Sequence, residues 1–169
     1  SQQMLGNYEF PNICCDEILL VNSAATLGNI VPFDKKENYD LLAEINCNLI
    51  SPVILFNKFI KKFNNVKKTI FSISSGAAAK PIHSWSTYCV SKSGLELLSQ
   101  VLKNESLNSN LRIFSIHPGI VDTPMQKHIR KSSKSDFPLV DKFIAYHKNN
   151  ELVSAKLIAE KVNYSLLYT

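Results

Sequence analysis

The sequence predicts an α/β fold, a Rossmann-like doubly wound parallel sheet with helices on both faces. Three observations carry that expectation: short continuous apolar runs, long stretches with apolar residues at three- and four-residue spacing, and regular alternation of the two. At 169 residues, 45% hydrophobic and 20% charged, the chain has the size and balance of one globular domain.

The run Glu17 to Val21 is short and uninterrupted, as in a strand buried on both faces of a parallel sheet. A small-residue loop, Asn22 to Pro32, follows. From Asn38 to Phe63, Leu41, Leu42, Ile45, Leu49, Val53, Ile54 and Phe56 recur with helical spacing, and Pro52 is expected to kink that helix. Lys68 to Ile73 reads as a second strand, Ser86 to Leu107 as a second long helix, and Arg112 to Ile116 as a third strand halted by Pro118-Gly119. Strand, helix, strand, helix, strand calls for right-handed crossovers. Residues 124–169 read as two or three helices, broken near Ser132 to Ser135 and at Asn149-Asn150, on the substrate side of a single partial domain spanning 1–169.

Charge and cysteine usage narrow the function classes. The net charge is +5, with basic clusters at Lys35-Lys36, Lys61-Lys62, Lys67-Lys68 and His128 to Lys134, expected to be solvated surface. No aromatic residues are interleaved with them, so nucleic acid is not an expected partner. The longest uninterrupted apolar runs, Ile18 to Val21 and Val53 to Phe56, fall short of the roughly 20 residues of a membrane span. Ser1 to Phe10 lack a secretory pattern, and a cytoplasmic location is expected. Cys14, Cys15, Cys47 and Cys89 form no CxxC pair and have no histidine at ligand spacing, so free thiols and no metal are expected.

The chemistry concentrates in Ser74-Ser-Gly-Ala-Ala-Ala-Lys-Pro-Ile-His-Ser-Trp-Ser-Thr-Tyr-Cys-Val-Ser-Lys92. Ser75 falls at the end of a strand; Tyr88 and Lys92, four apart on a helix, share a face. A free phenol has a pKa near 10, about three units above an efficient general acid, a gap of roughly 4 kcal/mol. One cation about 4 Å away supplies about 4 kcal/mol at an effective dielectric of 20. Lys92 is therefore expected to lower the Tyr88 pKa, with desolvation opposing it and the positive ring of an oxidised nicotinamide adding to it. An isolated YxxxK is also compatible with an ordinary helix surface. A nucleophilic hydrolase is disfavoured because Ser75 lacks the G-x-S-x-G frame.

Taken as an ordered set, Asn22-Ser-Ala-Ala25, Asn48, Ser75, Tyr88, Lys92 and Pro118-Gly-Ile-Val-Asp-Thr123 resemble the short-chain dehydrogenase/reductase family. Trp85 to Cys89, Pro118 to Gln126 and His128 to Phe137 are most similar to its sepiapterin reductases and (S)-benzoin-forming benzil reductases. The resemblance implies a reductase of ketones or diketones using NADP(H). In it Tyr88 protonates the carbonyl oxygen, Ser75 holds that oxygen, and Lys92 tunes Tyr88 and binds the nicotinamide ribose. Asn48 anchors a proton-relay water. Asn22, Ser23 and Ala24 lie along the cofactor, and Pro118, Gly119, Ile120 and Thr123 hold its carboxamide end. Trp85, Met125 and Gln126 border the substrate, although Trp85 and Met125 also suit a core, and Asp122 a helix cap. Pairing of two copies through the two long helices is implied as well.

The sequence departs from the family in two places. Asn22-Ser23-Ala24-Ala25 stands where the family has Asn-Asn-Ala-Gly, so a methyl group replaces a hydrogen where backbone approaches the cofactor. The five glycines, Gly6, Gly28, Gly76, Gly94 and Gly119, include no close pair, so no pyrophosphate-binding turn is encoded. A chain truncated at its front, and beyond Thr169, is expected. The alternative reading is a non-catalytic fragment or interaction module.

Overall fold

The computed structural model describes residues 8–107 and 109–167, with side chains through 161. The expectations about residues 1–7 and about the end at Thr169 lie outside the described residues. Three strands, β1 (Glu17–Asn22), β2 (Lys67–Ile73) and β3 (Leu111–Ile116), pair in parallel in that order. A helical run of α1 (Asn38–Ile45), a π turn (Asn46–Ile50) and α2 (Ser51–Lys62) joins β1 to β2, and α3 (Ser86–Glu105) joins β2 to β3. The predicted alternation is present, with strand and helix ends shifted by one or two residues.

The strands form here because their side chains fill one helix-covered face. Ile18, Leu20, Ile70, Leu111 and Ile113 pack with Phe56, Phe59 and Phe63 of the first helical run and Leu95 of α3. Phe10, Phe59 and Phe63 meet edge-on or tilted at 5.3–5.7 Å between centroids, which adds quadrupole attraction to area burial. The other face is different at β1. Leu19 and Val21 are 42% and 50% exposed, so the expectation of a strand buried on both faces is corrected: no described element covers them.

Pro52 produces a π turn where a kink was predicted. It has no N–H for the carbonyl of Asn48, and its ring would crowd that carbonyl in a regular α-helix. The helix instead widens over Asn46–Ile50, with the Ser51 N–H donating to the Asn46 carbonyl five residues back. The composite run Asn38–Lys62 is 25 residues long, and its mean hydropathy reaches 1.2, so by length and composition it meets the test for a membrane span that its short apolar runs fail. In this fold one face of it packs on the sheet, with Phe56 and Phe59 each 1% exposed, while Tyr39 and Leu42 stay exposed.

Two of the basic clusters are corrected. Lys36 is buried in an ion pair with Glu44 at 2.7 Å. Lys68 is 5% exposed, with its ammonium donating to the carbonyls of Asn64 and Val66, and burial lowers its pKa. Beyond β3 come β4 (Val121–Asp122), α4 (Pro124–Ile129), α5 (Val140–Lys148), β5 (Val153–Ser154) and α6 (Ala155–Leu167). The parallel β4–β5 ladder was not predicted, since two residues are too few to show a period. Asp122 lies in that ladder and does not cap α4; Thr123 takes the cap position, without a side-chain bond.

Phe59→Ala is expected to lower unfolding free energy by about 3–5 kcal/mol, the usual cost of an emptied aromatic site. Urea titration measures it; a loss under about 1 kcal/mol would contradict this core.

Candidate active site

In open α/β sheets ligands gather outside the carboxyl ends of the strands. Here those ends bring together Asn22 from β1, Ser74 and Ser75 after β2, and His117 to Gly119 after β3. The Ser74 N–H donates to the Ile116 carbonyl at 2.8 Å, so the ends of β2 and β3 leave the sheet side by side.

Ser75 caps a 3₁₀ turn, Gly76–Ala78, accepting from the Ala77 N–H at 3.2 Å, which fixes its rotamer. Tyr88 and Lys92 come from the first two turns of α3 and are 6% and 3% exposed. The Lys92 ammonium donates to the Ile73 carbonyl at 2.7 Å and lies 5.6 Å from the centroid of the Tyr88 ring. Ser75, Tyr88 and Lys92 are thus brought to one place, at the carboxyl end of β2.

The electrostatics differ from the sequence expectation. Desolvation raises the Tyr88 pKa above 10.0, against the hydrogen-bonding pull of the Ser75 hydroxyl, with the nearby Cys89 raising it further. In the protein alone burial therefore outweighs the lowering expected from Lys92. The ammonium faces the ring, and its bond goes to a backbone carbonyl. Burial likewise lowers the Lys92 pKa from 10.5 to about 8, partly offset by Cys47.

Asn48 is 1% exposed and belongs to the π turn. Its amide oxygen accepts from the Thr26 N–H at 2.8 Å and its amide nitrogen donates to the Thr26 carbonyl at 2.7 Å, clamping the loop after β1. Asn22 is 5% exposed, and its amide nitrogen has no partner; Ser23 and Ala24 are exposed beside it. Gly119 has φ +76°, and a side chain there would meet nothing within 4 Å, so the turn borders open space. Pro118, Ile120 and Thr123 flank it, and the Ile120 carbonyl accepts from Val153 at 2.9 Å. An unpartnered buried donor at Asn22 and an open glycine turn suit the nicotinamide end of a dinucleotide, whereas the chain has no glycine-rich turn for its pyrophosphate.

Trp85 is 6% exposed, stacked on Phe137 at 5.7 Å and 13° and set edge-on to Tyr88 at 5.7 Å. It is part of the core and packs against the Tyr88 ring. Met125 packs against the same cluster, and Gln126 is 8% exposed with its amide oxygen unpartnered. Among the described residues no cluster of three or more His, Cys, Asp or Glu is disposed to hold a metal.

One group of residues escaped the sequence reading. Glu44, 2% exposed, accepts from Lys36 on both oxygens at 2.7 Å, from the Asn29 N–H at 3.1 Å and from the Thr87 hydroxyl. A charged residue on a helix otherwise polar at that position gives no sign of burial; Gly28, at φ +57°, is the nearest clue.

Comparison with known proteins shows the family. A family model described as short chain dehydrogenase matches residues 17–134. Benzil reductase ((S)-benzoin forming) of Bacillus cereus is 34% identical over 149 residues, covering 86% of this chain and 60% of the relative. Its Bacillus subtilis counterpart is 36% identical over 146 residues, 84% of this chain and 60% of the relative. Sepiapterin reductase of Rattus norvegicus is 34% identical over 152 residues, 86% of this chain and 56% of the relative. The chain thus spans about three fifths of the length of these curated relatives. Among solved structures, the KRED1-Pglu enzyme superposes with a TM-score of 0.76 at 28% identity, covering 83% of this chain and 58% of that one.

The lowered Lys92 pKa has a consequence for stability. Between pH 8 and 10.5 the unfolded chain binds a proton at this residue that the folded chain has released, so stability rises with pH across that window. Tyr88 acts oppositely only above its ordinary value of 10. Wild type should therefore gain about 2–3 kcal/mol relative to Lys92→Met between pH 8 and 10. Parallel denaturation curves whose difference does not move with pH would rule this out.

Proposed function

The chain belongs to the short-chain dehydrogenase family, and from that premise we propose that it carries the catalytic face of an NADPH-dependent reductase of small ketones or diketones. The carrying observation is the meeting of Ser75, Tyr88 and Lys92 at the carboxyl end of β2. Ser75, its rotamer held by the Ala77 N–H, orients the substrate carbonyl oxygen through a hydrogen bond. Tyr88 donates its phenolic proton to that oxygen as charge develops on it. A nicotinamide cofactor, when bound, would supply the hydride that the carbonyl carbon takes up as the ketone becomes an alcohol. Lys92 and the positive charge on the oxidised nicotinamide favour the phenolate that Tyr88 becomes, offsetting desolvation. Asn48 keeps the loop after β1 against the helix through its two bonds to Thr26, and in the same reading it would anchor the water that relays protons to Lys92.

Asn22, Ser23 and Ala24, with Pro118, Gly119, Ile120 and Thr123, would hold the nicotinamide half of the cofactor, together with Tyr88 and Lys92. Trp85, Met125 and Gln126 border the carbonyl substrate. The choice of a diketone rests on the names of the benzil reductase relatives, and that of NADPH on the family resemblance alone. A cytoplasmic location is part of the same reading. So is a homodimer through the two long helices, whose outer residues Leu42, Val90, Leu97 and Val101 are 66%, 59%, 62% and 42% exposed.

The exposed Leu19 and Val21, and the absent pyrophosphate turn, favour a second reading in which the chain is an interaction module that binds no cofactor. One assay separates the two. NADPH consumption with benzil or sepiapterin is expected, and Tyr88→Phe should lower it about 10²–10⁴-fold, the usual worth of a general acid. Turnover undiminished in that variant would sink the mechanism, and no cofactor binding would establish the module.

A further inference from the structure

The Glu44 carboxylate is held by four hydrogen bonds from three parts of the chain, and none of them serves α1 itself. Lys36 donates to both oxygens at 2.7 Å, the Asn29 N–H to one at 3.1 Å, and the Thr87 hydroxyl to the other. The pair is dry, with side-chain exposures of 0% for Lys36 and 3% for Glu44. The loop is shaped around it: Gly28 has φ +57°, and a Cβ there would fall 1.9 Å from the Glu44 carboxylate oxygen. Burying such a pair is a weak route to stability, because well-packed apolar residues serve as well or better. What apolar residues could not do is accept from Thr87 and Asn29 together.

Thr87 is the residue before Tyr88 and lies in the first turn of α3. That turn begins at Trp85 with no side-chain cap, so its end is not held by the usual device. Ser75, by contrast, is fixed by its own turn. The spacing between the Tyr88 phenol and Ser75 therefore depends on what holds the start of α3, and the Thr87–Glu44 bond ties it to α1. One helical turn along, Asn48 clamps Thr26 of the loop whose Asn29 is bonded to Glu44. Two side chains four residues apart thus hold the loop after β1, and one of them also holds the turn that carries Tyr88.

We propose that Glu44 is a positioning residue for Tyr88, acting through the Thr87 hydroxyl; the inference rests on the reductase reading above. Thr87→Val removes only the hydroxyl and leaves Glu44 bonded to Lys36 and Asn29, so the fold should survive. Thr87→Ser keeps the hydroxyl. Two readouts apply. Steady-state NADPH oxidation with benzil should show kcat about tenfold lower in Thr87→Val, with KM within about twofold and recovery in Thr87→Ser, since small misplacements of reacting groups are costly. Trp85, the single tryptophan of the sequence and edge-on to Tyr88, reports the surroundings of Tyr88 without turnover. Its emission should shift to the red, and its acrylamide quenching should increase, in Thr87→Val and not in Thr87→Ser. A Thr87→Val protein with wild-type kcat and wild-type Trp85 emission overturns the proposal. A wild-type protein without turnover overturns the reductase reading alone, and the fluorescence comparison then decides the role of Glu44.

Discussion

The bond from the buried Lys92 ammonium to the Ile73 carbonyl fastens α3 to the sheet. It joins the second turn of α3 to the last residue of β2, so the second residue of the loop after β2 and the residue one turn before Lys92 are brought close. Those residues are Ser75 and Tyr88. A charge 3% exposed is expensive to hide, and its lowered pKa expresses that cost. The cost is offset by hydrogen bonding to a carbonyl that a strand ending has left available, a use that secondary structure alone does not supply.

The remaining polar burial supports the same region. Asn48 exists in a π turn because Pro52 denies its carbonyl the usual partner, and its amide closes both backbone groups of Thr26. Glu44 closes Asn29 and reaches across to Thr87. The aromatic cluster of Trp85, Phe137 and Phe143 then packs beside Tyr88 on the side of α5. The apolar cluster between the helices and the sheet determines that the domain folds, whereas these few polar contacts determine where three side chains come to rest.

Much of this was legible in the sequence, and the limits are physical. Strand β1 announced itself as an unbroken apolar run, β2 and β3 as short apolar-rich segments between helices, and the helices by spacing; the Ser75, Tyr88 and Lys92 set stood out by order and interval. Three features were not. The exposure of Leu19 and Val21 depends on what covers β1, and an apolar run looks alike whether covered on one face or two. The burial of Lys36 and Lys68 depends on partners, Glu44 in one case and the Asn64 and Val66 carbonyls in the other, that no local pattern specifies. The direction of the Tyr88 pKa depends on a balance between desolvation and neighbouring charge, and Coulomb's law applied to a pair of residues leaves out the first.

In the proposed mechanism a phenol held above its ordinary pKa in the protein alone would be brought down by the cation beside it and by the charge on an oxidised nicotinamide. Carbon-13 labelling of the tyrosine ζ position, with Tyr88 assigned by its loss in Tyr88→Phe, allows its titration to be followed with and without NADP⁺. The account predicts a midpoint above 10 without the cofactor and a clearly lower one when the cofactor is bound. A bound cofactor that leaves the Tyr88 midpoint where it was would contradict it.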